Sequence, residues 1–299
     1  YDISWNGHIY AQLFDSAGTL VGGNFEVRDV GASSGYGPDV AASDSGFVIT
    51  WYDYRNGNAD IYAQLFKANG DTIGGNFLVD DGGNSQHYPS VAMADSGFVI
   101  TWYDSRSGSD WDIYAQLYKA NGDTIGGNFL VNDDVSGVYN QYYPSVAMSP
   151  DGHNMVIAWE DYRNDPNGNL AEIMAQKYVD GIPENGNVVV NGTTLANRDF
   201  WGGKRMACNN QRILFSWDDN RRSKGMDIYA KLTDWDLQHI QDAIPPYIVS
   251  TSPINGATGV ALNEPIIIAF SEPMDTFSIT GYAIPTDSYS LSWSVTGDT

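Results

Sequence analysis

The chain has 299 residues, with 37 acidic against 15 basic side chains and a net charge of −22. A surface of that sign repels phosphate backbones, which excludes nucleic acid as a partner. The single cysteine, Cys208, excludes an intrachain disulfide, and the apolar run Pro265 to Phe270 is far too short to span a membrane, so no membrane insertion is expected.

Taken in chain order, one pattern recurs. A Trp is followed by an acidic loop and a strand of the type Asp-Ile-Tyr-Ala-Gln. Trp5 leads to His8-Ile9-Tyr10-Ala11-Gln12, Trp51 to Asp60-Ile61-Tyr62-Ala63-Gln64, and Trp102 to Asp112-Ile113-Tyr114-Ala115-Gln116. Trp159 leads to Glu172-Ile173-Met174-Ala175-Gln176 and Trp217 to Asp227-Ile228-Tyr229-Ala230-Lys231. The segment Lys67 to Val79 recurs without change at Lys119 to Val131. Successive Trp positions lie 46, 51, 57 and 58 residues apart, a period that suits a propeller blade of four strands.

Each full unit predicts four short strands, exemplified by Pro89–Met93, Phe98–Trp102, Asp112–Tyr118 and Asn128–Val131. β-Branched and aromatic residues fill them, and Asn-Gly and Gly-Gly punctuate the joins. Asn69-Gly70 and Asn121-Gly122 are expected to form type I′ turns, with positive φ at both centres. Phe47, Ile49 and Trp51 share one face of their strand, with Val48 and Thr50 opposite, so both faces are apolar. That fits a sheet sandwiched between two others. No helical period of similar strength occurs before residue 245.

Residues 1–244 therefore read as all-β, a five-bladed β-propeller. The first unit lacks its opening strand, and Leu237 to Ile240 is expected to supply the fourth strand of the last. A larger propeller, truncated at the N-terminus, is the alternative.

These repeats resemble the blades of secreted bacterial β-propellers of the sialidase-like and TolB-like kinds, in which Trp-x-Asp-x-Arg precedes an Asp-Ile-Tyr strand. The resemblance spans about residues 1–244 and implies the fold, since such propellers host many activities. A sialidase would need an Arg-Ile-Pro motif, which is absent. The final 55 residues, with Ser271-Glu272-Pro273-Met274-Asp275 after Ile266 to Phe270, resemble the bacterial Ig-like domain of S-layer proteins. Residues 245–299 are thus expected to be an incomplete Ig-like β-sandwich.

Candidate sites are those that stand out from the repeat. The loop after each Trp carries an Asp-x-Arg pair (Asp53 and Arg55, Asp104 and Arg106, Asp161 and Arg163, Asp219 and Arg221). Four copies favour ion pairs that fix each blade. The tyrosines of these loops, Tyr54, Tyr103 and Tyr162, are candidate ligand-binding residues. So are Trp201 and Arg198, in a basic patch that breaks the pattern. Glu160 replaces a repeat Tyr and, with Asp161 beside it, is the candidate for acid–base catalysis. Asp165, Asn167, Asn169 and Glu172 alternate oxygen ligands in a loop, a pattern suited to calcium, with no other cofactor implied.

With near-identical repeats and no complete catalytic constellation, the sequence points to a non-catalytic secreted or cell-surface protein. Adhesion, glycan or protein-partner binding, and extracellular self-assembly are its expected roles. A polysaccharide-active enzyme working in the propeller cleft is the alternative.

Overall fold

The computed structural model describes residues 7–28, 34–80, 82–108, 110–134, 139–165, 170–191, 198–199, 205–220, 226–238, 248–252 and 267–270. The chain divides into two compact units, Tyr1–Ile240 and Gln241–Thr299. Among the described residues, all regular structure is β, and no helix is long and apolar enough to cross a membrane.

Among the described residues, the first unit holds five antiparallel sheets in succession. A two-stranded sheet pairs β1 (Tyr10–Phe14) with β2 (Leu20–Glu26). Three four-stranded sheets follow, each with its strands in chain order. They are β3 (Gly35–Ser43), β4 (Gly46–Asp53), β5 (Asp60–Lys67) and β6 (Thr72–Leu78), then β7 (Gln86–Ala94), β8 (Gly97–Asp104), β9 (Asp112–Lys119) and β10 (Thr124–Leu130). The third comprises β11 (Gln141–Met148), β12 (Asn154–Asp161), β13 (Glu172–Val179) and β14 (Ile182–Val189). In the last sheet, β15 (Arg198–Asp199) and β16 (Met206–Cys208) share one edge of β17 (Arg212–Asp219), and β18 (Asp227–Asp234) takes the other. These sheets are the blades of a β-propeller, one sheet per repeat.

The alternation in the second strand explains the stacking. Phe47, Ile49 and Trp51 pack on Ile9 and Val27 of the preceding sheet. Val48 and Tyr52 instead join Val91, Phe98, Ile100 and Trp102 of the following one. The same division recurs one blade on, where Val99 and Tyr103 meet Met155, Ile157 and Trp159. It recurs again where Val156 and Ala158 meet Ile213, Phe215 and Trp217. A strand apolar on both faces is stable only between two layers. Each repeat therefore requires a neighbour on either side.

Two local expectations are corrected. The Asn-Gly turns are not type I′: Gly70 donates its N–H to Lys67 O at 2.9 Å, and only the glycine has positive φ (+90°). This is a type I turn ending in a left-handed glycine, the three-residue hairpin connection. The Gly-Gly pair lies inside the fourth strand rather than before it. Pairing there jumps between Ile125 and Phe129, and Gly126 takes φ of +65°. The Gln of the repeat fills this bulge: the Gln116 Nε2 donates to Leu117 O (2.9 Å), Ile125 O (3.3 Å) and Gly126 O (3.3 Å). A buried amide thus satisfies the carbonyls that the bulge leaves without ladder partners. Finally, Leu237 and Gln238 form a turn, with Leu237 N–H on Asp234 O at 3.1 Å and Leu237 at φ +60°. They do not supply a fourth strand; His239 and Ile240 lie outside the described residues.

In the second unit, β19 (Ile248–Ser252) pairs antiparallel with β20 (Ile267–Phe270).

Candidate functional site: an aromatic inner rim

The first strands of successive blades lie side by side. Asp39 accepts Ser90 Oγ and Val91 N–H, both at 2.9 Å, and Ser90 Oγ in turn accepts Val146 N–H at 3.4 Å. Each of these inner strands opens with an aromatic residue, a left-handed residue and a proline: Tyr36-Gly37-Pro38, His87-Tyr88-Pro89 and Tyr142-Tyr143-Pro144. Pairing with the second strand breaks at this point in all three. Gly37 has φ +57°, Tyr88 +49° and Tyr143 +51°. A left-handed tyrosine costs about 1–3 kcal/mol of strain unless its surroundings impose it. Here two adjacent blades impose it at the same position.

The bulge turns the rings toward the end of the second strand, and a continuous aromatic cluster results. Tyr88 lies 5.6 Å from Tyr52, 5.7 Å from Tyr103 and 5.1 Å from Tyr143, centroid to centroid. Tyr103 continues to Trp111 at 5.1 Å and Tyr142 at 5.3 Å. Tyr142 reaches Tyr162 at 6.0 Å, while Tyr54 closes on His87 at 6.5 Å. Tyr52 and Tyr103 are buried, Tyr36 and Tyr54 exposed, and the rest half-buried. Tyr54, Tyr103 and Tyr162, expected at separate loops, thus share one rim.

Glu160 is buried in this rim at the position held by Tyr52 and Tyr103 in the preceding blades, and it accepts the Tyr162 hydroxyl at 3.2 Å. Burial, reinforced by Glu160, raises the Tyr162 hydroxyl well above its ordinary range. Burial and neighbouring tyrosines do the same for Tyr52 and Tyr103. All three hydroxyls stay protonated, and so remain donors, at any physiological pH.

Burial lowers His87 below its ordinary 6.5. The unfolded chain then takes up this proton before the folded one as pH falls. Stability is expected to hold above pH 6.5 and to decline below it, through the folded-state value. Thermal unfolding of the wild type and of His87→Phe between pH 4.5 and 8 checks this, because the variant should lose that part of the decline.

Asp161 has a different task. Its carboxylate accepts Trp159 Nε1 at 2.9 Å, and from Arg163 the backbone N–H (3.0 Å), Nε (2.9 Å) and Nη2 (2.8 Å). The tryptophan–aspartate bond recurs at Trp51–Asp53 (3.0 Å), Trp102–Asp104 (3.2 Å) and Trp217–Asp219 (3.2 Å). The arginines fold back over the third strand, Arg55 on the Tyr62 ring and Arg106 on Tyr114, each at 3.9 Å. Arg106 also pairs with Asp80, and Arg163 with Asp133, so each of these guanidiniums ties its hairpin to the loop beyond the preceding blade's outermost strand, β6 for Asp80 and β10 for Asp133. Both oxygens of Asp161 are engaged in this fixing role.

Trp201, Asn167 and Asn169 lie outside the described residues, and for Arg198 only backbone pairing with Asp219 is described. Asp165 accepts Leu170 N–H at 2.8 Å, and Glu172 accepts the Asn164 amide. Among the described residues, no three His, Cys, Asp or Glu side chains group as metal ligands. His87, Tyr88, Trp111, Tyr142 and Tyr143 were not singled out by the sequence. The signal that marks most of them is the aromatic pair before proline, visible once the inner strands are aligned.

Blades and rim define an all-β propeller protein, followed in the chain by a second β unit. The bacterial Ig-like domain model matches residues 242–298. Comparison with curated proteins finds no match. Among solved structures, the chain is similar to an endo-arabinase from Bacteroides thetaiotaomicron, at 13% identity over 80% of this chain and 96% of that one, with a TM-score of 0.46. An α-L-arabinofuranosidase of Fusarium graminearum in complex with arabinobiose shares 13% identity over 76% of this chain and 80% of its own, with a TM-score of 0.46. An α-L-arabinofuranosidase from Lactobacillus brevis shares 10% identity over 68% of each chain, with a TM-score of 0.41. These are distant likenesses of fold and carry nothing about the chemistry of the rim.

Proposed function

We propose that the inner rim recognises carbohydrate and that the protein is a polysaccharide-binding propeller. The observation that carries this reading is the pair of left-handed tyrosines, Tyr88 and Tyr143, set among half-buried rings on adjacent blades. Sugar rings present apolar C–H faces with hydroxyls at their edges. Aromatic faces ringed by protonated tyrosine hydroxyls complement both parts. The net charge of −22 favours neutral polymers over anionic ones. The Ig-like domain supports a surface-associated bacterial setting.

Glu160 favours a second reading, in which the rim also cleaves glycosides. Hydrolysis ordinarily takes two carboxyl groups. Glu160 is one, buried beside Tyr142 and Tyr162, and Asp161 is committed to Trp159 and Arg163.

A screen against soluble neutral and anionic polysaccharides, scoring binding and released sugar separately, tests both. Neutral polymers are expected to bind, and Glu160→Gln is expected to retain binding. Sugar release that Glu160→Gln abolishes would establish the enzymatic reading. No binding to any polymer would refute the proposal.

A further inference from the structure

Trp111 holds a repeat position that its neighbours fill with alanine. It stands directly before the third strand of its blade, where the complete blades on either side carry Ala59 and Ala171, both fully buried. The backbone does the same work with either residue: Gln86 donates its N–H to Ala59 O and Gln141 donates its N–H to Trp111 O, each at 2.7 Å. A blade therefore closes without an indole here, and the large ring is an addition to the repeat.

That ring stands in the aromatic rim. It lies 5.5 Å from His87 and 5.1 Å from Tyr103, both edge to face, and 6.5 Å from Tyr142 at a tilt of 41°. None of the three stacks flat on the indole, which is half-buried. Its N–H sets it further apart. Trp51, Trp102, Trp159 and Trp217 donate theirs to the aspartate two residues on, and Trp235 donates to Asn209 O at 3.0 Å. Trp111 bonds through its backbone N–H, to Asn140 Oδ1 at 3.2 Å. Its indole N–H meets no acceptor among the described residues and stays open to solvent. A tryptophan so placed presents an apolar ring and an unused donor side by side.

We propose that Trp111 is the anchoring residue of the rim: it packs against the apolar C–H face of one uncharged sugar unit and donates its N–H to an oxygen at that unit's edge. The inference rests on the carbohydrate reading of the rim and narrows it to one point of contact, on the blade formed by β7 to β10. An alanine at this position offers neither the ring nor the donor. The repeat thus supplies its own control, because Trp111→Ala restores the residue that both neighbouring blades use.

The test observes the indole N–H signals of the full chain by nuclear magnetic resonance while mixed-linkage β-glucan, galactomannan or dextran is added. The Trp111 signal is the one that Trp111→Phe removes. A polymer that binds is expected to shift it and to leave the signals of Trp51, Trp102 and Trp159 in place, because those rings are fully buried. In calorimetric titration Trp111→Ala should weaken binding about thirtyfold or more, the loss typical of an aromatic anchor. Trp111→Phe keeps a ring without the donor and should lose about two- to tenfold, the net contribution of one hydrogen bond. Circular dichroism checks that both variants fold, and the wild-type signal decides the matter if either does not. Binding that leaves the Trp111 signal unmoved, or that Trp111→Ala retains at full strength, would overturn this inference and leave the carbohydrate reading standing. Wild type that binds none of the polymers would overturn both.

Discussion

Asp104→Ala is expected to destabilise the propeller unit by about 3 kcal/mol, at the lower end of what removing one partner of a buried ion pair costs. Asp104 is fully buried and accepts Trp102 Nε1 at 3.2 Å, Arg106 N–H at 2.7 Å and Arg106 Nη2 at 2.5 Å. Its removal leaves a buried indole N–H without an acceptor and a guanidinium with two of its three side-chain partners. The loss stops short of the upper end because Asp80 and Asn128 still hold Arg106. Asp104→Asn keeps an acceptor for the indole and should cost less. Urea denaturation compares the two. Equal losses would mean that the indole bond contributes nothing and that charge alone fixes the loop.

The repeat supplies a second large effect with an internal control. Ile113→Ala empties a site with no solvent access and should cost about 2–5 kcal/mol. Ile228→Ala alters the same repeat position where the side chain faces solvent, and in dilute monomer it should change stability by less than about 0.5 kcal/mol. The two substitutions are chemically identical and differ only in the presence of a following blade. Denaturation midpoints at low protein concentration measure the contrast. Similar losses at both sites would show that Ile228 is covered in solution.

The sequence displays the blade body well because the repeat multiplies its evidence. Alternation in Phe47 to Trp51 places each residue on the face it occupies, and three of the four Asp-x-Arg pairs form the expected ion pairs, Arg221 of the fourth lying outside the described residues. What it hides is short-range. The Gly126-Gly127 bulge is read as a boundary between elements, because glycines in a strand resemble glycines in a turn until the side chain of Gln116 is seen to fill the gap. Leu237 reads as a strand residue because it is apolar, while its left-handed backbone is set by the Asp234 turn.

The rim is the least legible part. Tyr54, Tyr103 and Tyr162 are visible as loop tyrosines, and Glu160 as a break in the repeat. Their meeting depends on Tyr88 and Tyr143 adopting backbone conformations that no tyrosine prefers. Such strain leaves no trace in composition, and only the alignment of Gly37 with Tyr88 and Tyr143 hints at it.

That alignment also supplies the most direct test of carbohydrate recognition at the rim. Replacing both Tyr88 and Tyr143 by glycine restores the residue type used at the third equivalent position and releases the backbone strain. Affinity for a bound neutral polysaccharide and the unfolding midpoint are to be measured together, by calorimetric titration and thermal unfolding. If the rim is a binding surface, affinity falls about tenfold or more, some 1.4 kcal/mol, while the midpoint changes little because released strain offsets lost packing. Unchanged affinity with a sharply lower midpoint would contradict the account and make the tyrosines core residues alone.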